Sequence, residues 1–248
     1  MSKCAAAPRD SKGLKPKNRL LAALPGKDLQ ILQPHIEAAP LASGSVLFEA
    51  DEPLTRIYLV ETGVVSLLTT AFENRVTVGM ATVGREGAVG VASLVLGGDT
   101  ALGRYRVLVP GSVLTMEVPA FRSALRQSPK LRMACEAHTR ALLVQMLQAV
   151  PCTKLHTVEQ RCARWLLMCA DRTENDTFEL TQEYLAEMLC VPQSTVNTIA
   201  RTLQQAGLLR HDRSTITLLD RPRLEITACE CYRIVRDRCE RLLARAFD

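Results

Sequence analysis

Gln193, Ser194, Asn197, Thr198 and Arg201 share one side of a segment whose other side is apolar, with Val196, Ile199, Ala200 and Leu203 at i, i+3, i+4 and i+7. A helix with that pattern buries the second set and projects the first. The projected types make directional contacts to base edges: Gln and Asn pair bidentately with adenine, and Ser and Thr donate or accept. Just upstream, Thr181 is placed to cap a short helix carrying Leu185, Met188 and Leu189 on one face. Cys190-Val191 makes a turn, Pro192 suits the first turn of the second helix, and Gly207 stops it. "LLRHDR" and "TITLL" then read as two short strands around Asp212–Ser214. Helix, turn, helix and wing make a DNA-reading unit, whose second helix presents its outward N-terminal side chains to the major groove. Arg201, Arg210 and Arg213 are better placed for phosphates, which hold register without reading sequence. Thr181 and Gln182, at the start of the first helix, complete the expected DNA-binding set. The bland alternative is a ligand-binding scaffold whose winged helix contacts protein.

Cys190 stands where such a turn usually wants glycine, because a left-handed backbone costs other residues about 1 kcal/mol. Two readings follow. The thiol is a small buried residue packing between the helices, or it is a redox candidate, whose sulfenate or glutathione adduct would repel DNA. The remaining cysteines, of nine in all, read as reduced thiols. Zinc favours C-x-x-C pairs or finger-like Cys/His spacing. Cys162-x6-Cys169, Cys229-x-Cys231 and Cys239 fit neither, so no metal site is expected and most thiols are assigned to the core. His35, His138 and His156 are each isolated and read as ordinary surface or core histidines rather than haem ligands. No P-loop, G-x-S-x-G or H-E-x-x-H is present, and no acid/base pair stands out, so the chain does not read as an enzyme.

The elements that position these residues begin with a helical lead-in, "NRLLAALPGKDLQILQPHI". "GSVLFEADEP", "RIYLVETGVVSLLTTA", "RVTVGMATVG" and "RYRVLVPGSVLTMEV" follow as β-rich runs. Breaks are expected at Asp51–Pro53, Glu73–Asn74, Gly84–Gly90, Gly97–Asp99 and Pro110–Gly111. Such runs, without long helices between them, imply an antiparallel sandwich or barrel. Ser128-Pro129 starts a long helix. One of its stripes is Leu131, Cys135, His138, Leu142, Gln145 and Ala149; another is Met133, Ala137, Ala141, Val144 and Leu147. Two stripes imply two surfaces, one for the barrel and one for a partner helix, unless both are buried within one subunit. Pro151 should kink or end the helix. Thr157 to Gln160 has a capping-box pattern, and residues 224–247 read as one amphipathic helix beyond the wing.

A chain of 248 residues with 47% hydrophobic and 23% charged residues can bury a core, built largely without aromatics at 4%. The net charge of +5 sits wholly in residues 1–19, a stretch read as a basic disordered arm. No apolar run is long enough to span a bilayer or serve as a secretory signal, so a cytoplasmic location without membrane contact is expected.

This order of parts resembles the catabolite-activator/fumarate-nitrate regulator (CRP/FNR) superfamily of bacterial transcription factors, over roughly residues 18 to 220. "NRLLAALP…GSVLFEADEPLTRIYLVETGVVSLL" is similar to its sensor opening, and "LTQEYLAEMLCVPQSTVNTIARTLQQAGLL" to its DNA-binding signature. The resemblance implies an α+β fold with a cyclic-nucleotide-binding-like β-roll (jelly-roll) over 20–127, a dimerisation helix over 128–156, and a winged helix-turn-helix with a C-terminal helix over 157–248. It also implies a homodimer on a palindromic operator in double-stranded DNA, with RNA polymerase as a further partner. Nucleotide-binding members hold ribose and phosphate with a Gly-Glu pair and then Arg-Ser or Arg-Thr. Here Val91 follows Gly90 and Tyr105 follows Arg104, so cyclic AMP is not expected. The spaced Gly84, Gly87 and Gly90 read as β-turns rather than a phosphate loop. Cys4 alone precedes Cys135, which excludes the family's N-terminal iron–sulfur cluster. No cofactor is assigned, and the effector stays open.

Overall fold

The computed structural model describes residues 15–71 and 76–247. The chain enters through α1 (Arg19–Ala22), α2 (Gly26–Leu32) and a 3-10 turn at Gln33–His35. Asn18 caps α1: its side-chain oxygen accepts from the Leu20 and Leu21 N–H groups at 3.1 and 3.3 Å. Its amide nitrogen donates to the Val60 and Gly87 carbonyls, each at 2.8 Å. The disordered arm expected over 1–19 is therefore corrected at its end, where Asn18 is buried and Arg19 pairs with Glu240 at 2.7 Å. Residues 1–14 lie outside the described residues.

The roll is antiparallel. Strands β1 (Glu37–Leu41), β2 (Val46–Phe48), β3 (Arg56–Ala71), β4 (Val76–Val83), β5 (Ala88–Val89) and β6 (Arg104–Glu117) pair in the order β1-β6-β3-β4, with β2 on β6 and β5 on β3. The short helix α3 (Val91–Val95) lies between β5 and β6. Register slips between Val60 and Val65 bend the β3–β6 pair. Gly63 sits at that bend with φ 89°, where a Cβ would lie 2.6 Å from the Val109 carbonyl oxygen. The break expected at Pro110–Gly111 is absent, because the slip absorbs Pro110 and β6 runs through it. The expected Glu73–Asn74 turn lies outside the described residues.

Beyond the bend, β3 is buried on both faces. Val65 and Leu67 join the core of the roll, whereas Val64 and Leu68, with Leu108 and Val109 of β6, join a second core containing Trp165, Leu166 and Met188. That explains the run "VVSLL", apolar on both sides of buried Ser66, which alternation alone would not produce. Two helices were not anticipated: α3, and α4 (Val118–Gln127), which buries Val118, Phe121, Ala124 and Leu125 on one face.

Helix α5 (Pro129–Leu155) starts as expected, with Ser128 Oγ accepting from Leu131 N–H at 3.0 Å and donating to Asp28 at 2.7 Å. All six residues of the first stripe are buried. Gln145 pairs with the β4 edge, accepting from Thr82 N–H at 3.1 Å and donating to the Thr82 carbonyl at 3.2 Å. His138 Nε2 meets the N–H and carbonyl of Ala88 at 3.3 and 3.1 Å, and burial holds the imidazole below its ordinary pKa. The second stripe divides. Ala137 and Ala141 are buried, with the Ala141 carbonyl contacted by Cys239 Sγ of the C-terminal helix at 3.6 Å. Met133 and Leu147 are exposed, with Leu143 and Val150 beside them. Pro151 does not end the helix, which continues to Leu155.

The C-terminal part comprises α6 (Val158–Thr173), β7 (Thr177–Glu179), α7 (Gln182–Leu189), α8 (Gln193–Gln205), β8 (Leu209–Asp212), β9 (Thr215–Leu218), α9 (Arg221–Thr227) and α10 (Cys231–Phe247). The Thr157–Gln160 capping box is formed. The single helix expected over 224–247 is corrected to two. Asp220 caps α9 by accepting from Arg223 N–H at 3.0 Å, and the chain turns extended at Ala228 before α10 begins. α10 then runs back along α5, with Leu243 and Ala246 joining the core of the roll. Among the described residues no helix is long and apolar enough to cross a membrane.

Asn18→Ala removes the cap and the amide hydrogen bonds to the Val60 and Gly87 carbonyls, of which the second keeps the Val60 N–H at 3.3 Å. We expect a loss of about 3 kcal/mol, read from the urea midpoint. A loss below about 1 kcal/mol would show that water replaces these bonds.

Candidate nucleic-acid interface

Helix α7, which leads into the turn, is held at both ends. Thr181 Oγ1 accepts from Tyr184 N–H at 3.3 Å, and Arg161 of α6 donates to the Leu189 carbonyl at 3.2 Å. Cys190 adopts φ 55°, ψ 52°, the left-handed conformation anticipated for this position. Its N–H donates to the Glu187 carbonyl, and Val191 N–H to that of Ala186, both at 3.1 Å, closing the helix end. The thiol is exposed, so the reading of Cys190 as a residue packed between the helices is overturned.

Along α8, Val196 and Leu203 are buried and Ile199 and Ala200 half-buried, while Gln193, Ser194, Asn197, Thr198 and Arg201 are exposed. Thr198 Oγ1 donates to the Ser194 carbonyl at 3.0 Å, which leaves its lone pairs, not its proton, for an incoming group. Arg210 on β8 is exposed, as is Arg213, whose φ of 52° marks the hairpin tip. Thr181 and Gln182 are half-buried. Gln182 Nε2 meets His211 Nδ1 at 3.2 Å, and Gln204 accepts from His211 N–H at 3.0 Å. Gln182 thus braces the wing against α7.

Sequence reasoning missed the contact that seats this unit on the roll. Arg106 of β6 pairs with Glu187 of α7 and lies 4.6 Å over the Tyr184 ring. Met188 fills the space at Gly79, where an added Cβ would lie 2.4 Å from its methyl carbon. Tyr184 and Glu187 stand three apart on the polar side of α7, which reads as a solvated face; nothing local in the sequence marks them.

In the roll, Gly84 to Gly87 is a turn closed by Gly87 N–H on the Gly84 carbonyl at 3.0 Å, and Gly90 has φ 89° just before α3. Val91 is fully buried in the core. Arg104 pairs with Glu49 at 3.0 Å, and the Tyr105 phenol, buried, is pushed up to about 12 by desolvation. Burial likewise pushes the Cys135, Cys162 and Cys169 thiols up to about 12, so none supplies a thiolate readily. His35 is exposed. Cys152, His156, Cys229 and Cys231, from two distant stretches of sequence, bring their ligand atoms within 4.8 Å of one another. Their separation along the chain kept this set out of any spacing-based reading.

A β-roll followed by a long helix and a winged helix-turn-helix defines a DNA-binding transcription regulator with a sensor domain. Residues 39–128 match the cyclic nucleotide-binding domain and residues 160–226 the Crp-like helix-turn-helix domain. Together these matches span more than half of the chain, which belongs to the CRP/FNR superfamily. Among solved structures, FixK2 from Bradyrhizobium japonicum is similar at 18% identity and TM-score 0.66, over 78% of this chain and 98% of that one. The c-di-GMP-responsive regulator CLP of Xanthomonas campestris is similar at 16% identity and TM-score 0.62, over 78% and 99%. A CRP/FNR-family protein from Eubacterium rectale follows at 14% identity and TM-score 0.61, over 84% and 96%. No curated protein matches the chain.

Because Cys190 is exposed and left-handed, Cys190→Gly should stabilise the protein by about 1 kcal/mol in chemical denaturation. Destabilisation instead would mean that the thiol makes a stabilising contact.

Proposed function

We propose that the protein acts as a homodimer on a palindromic operator, with Gln193, Ser194, Asn197 and Thr198 reading bases. Arg201, Arg210 and Arg213 hold phosphates, with Thr181 and Gln182 at the backbone edge of the site. The observation that carries this reading is the face of α8: its apolar residues are buried or half-buried and its polar N-terminal residues are exposed. Exposed Leu143, Leu147 and Val150, with Met133 on α5, support a partner helix there. The sensor responds to something other than cyclic AMP: buried Val91 and Tyr105 and the Arg104–Glu49 pair support this. RNA polymerase contact and a cytoplasmic location belong to the same reading.

Selection of bound DNA from a randomised library, with and without cyclic AMP, tests it. We expect a two-fold symmetric site with half-sites about 34 Å apart and no dependence on the nucleotide. An asymmetric consensus, or binding that rises with cyclic AMP, would overturn the corresponding part. Gln193→Ala should relax preference at one base position at a cost of about 1–3 kcal/mol. Arg201→Ala or Arg210→Ala should instead weaken all sequences and lower the salt slope by about one.

The exposed Cys190 favours a second reading, a thiol-based switch. Peroxide or diamide should then abolish operator binding reversibly in the wild type and leave Cys190→Ser unaffected. Equal sensitivity of the two proteins would move the response to another cysteine.

A further inference from the structure

Cys152 lies in the last turn of α5 and His156 caps the helix, its N–H donating to the Cys152 carbonyl at 3.2 Å. Cys229 lies in the break between α9 and α10, and Cys231 is the first residue of α10. The three sulfurs and one ring nitrogen converge within 4.8 Å. Cys152 Sγ lies 3.6 Å from Cys229 Sγ, and Cys231 Sγ 3.5 Å from His156 Nδ1. A zinc ion with its usual bond lengths at the centre of a tetrahedron has S–S edges of about 3.8 Å and S–N edges of about 3.6 Å. Two opposite edges of such a tetrahedron are therefore already at length. These thiols are not packing residues of either main core: Cys152, Cys229 and Cys231 are buried against each other as a separate cluster.

Charge gives an independent reason. Arg164 of α6 is 2% exposed, and its guanidinium donates to Cys152 Sγ at 3.0 Å. Its Nε and Nη2 have no hydrogen-bond partner, and no carboxylate pairs with it among the described residues. A buried guanidinium without a counter-charge is costly. Three thiolates, a neutral imidazole and a dication carry a net charge of −1, which Arg164 neutralises. Gln148 Nε2 donates to Cys231 Sγ at 3.2 Å, so a second N–H faces a ligand sulfur. A Cys152–Cys229 disulfide would leave Arg164 facing a neutral group and His156 and Cys231 without a role.

We propose that Cys152, His156, Cys229 and Cys231 form a structural zinc site that fastens the end of α5 to the joint where α10 begins. All four positions of the metal are taken by protein, as in a closed structural site. Binding exchanges the three thiol protons for the metal and involves no change of oxidation state. The inference rests on these residues alone and does not depend on which DNA α8 reads.

The test is metal analysis of the full chain purified under reducing conditions from zinc-supplemented cells. One zinc per chain is expected, falling below a tenth in Cys229→Ser/Cys231→Ser and unchanged in Cys190→Ser and Cys239→Ser. Arg164→Gln should lose zinc to a competing chelator about tenfold more readily, with its circular dichroism unchanged. Because the double variant could misfold, Co²⁺ is titrated into metal-free wild type. Thiolate charge-transfer and tetrahedral ligand-field bands saturating at one equivalent are expected, displaced by Zn²⁺. Absence of those bands, full zinc in the double variant, iron or copper in place of zinc, or a Cys152–Cys229 disulfide under reducing conditions would each overturn the assignment.

Discussion

The two-sided burial of β3 and β6 is the constraint on which the arrangement depends. Val65 and Leu67 face the interior of the roll, and Val64, Leu68, Leu108 and Val109 face the C-terminal core. Lifting the winged unit off would return those four side chains to water, along with the parts of Trp165 and Met188 that cover them. At about 25 cal/mol per Å² of apolar surface, such exposure opposes independent motion far more than the Arg106–Glu187 pair does. The ion pair and the Tyr184 ring instead fix where α7 sits on that surface. Register comes from the polar contacts and adhesion from the apolar ones.

Helix α5 carries this constraint along the molecule. Its buried stripe is not purely apolar: His138 and Gln145 both hydrogen-bond main-chain groups of the roll, Gln145 as though it extended the β4 edge. Polar anchors of this kind select one sliding position of the helix, which a stripe of leucines would not. α10 then lies on a second side of α5, so a third side alone is left for a partner. The exposed Leu143, Leu147 and Val150 occupy it. The same helix thereby links the sensor, the C-terminal joint and the proposed dimer seam.

Much of this was legible in the sequence because local chemistry dictates it. Ser128-Pro129, the Thr157–Gln160 box, Thr181 and Gly207 mark helix ends by groups that satisfy main-chain donors and acceptors nearby. The face of α8 follows from its 3.6-residue period. Cys190 was legible as a left-handed position because a helix-turn-helix leaves little choice there, but not as an exposed thiol, since a turn residue's burial depends on what lies across from it. The β6 course through Pro110–Gly111 was missed because a register slip depends on the partner strand. The break after α9 was hidden because Ala228 and Glu230 suit a helix as well as a joint. The four convergent ligands were invisible for a similar reason: the fold of α10 back along α5, not spacing, brings them together.

The distribution of charge limits how the proposed site can work. Outside residues 1–19, basic and acidic residues balance at 25 each. Attraction to DNA from residue 20 onward must therefore be local, and it rests on Arg201, Arg210 and Arg213 around a reading helix without acids. Three phosphate contacts, with a salt slope of about −2.7, are too few for tight binding at physiological salt, whereas the proposed dimer doubles the slope to about −5.4. Doubling helps only if both reading helices are held at the spacing of one DNA turn. The burial of β3 and β6 and the return of α10 along α5 supply that rigidity. A flexible tether between sensor and winged helix would give up the second half-site's contribution to ordering entropy.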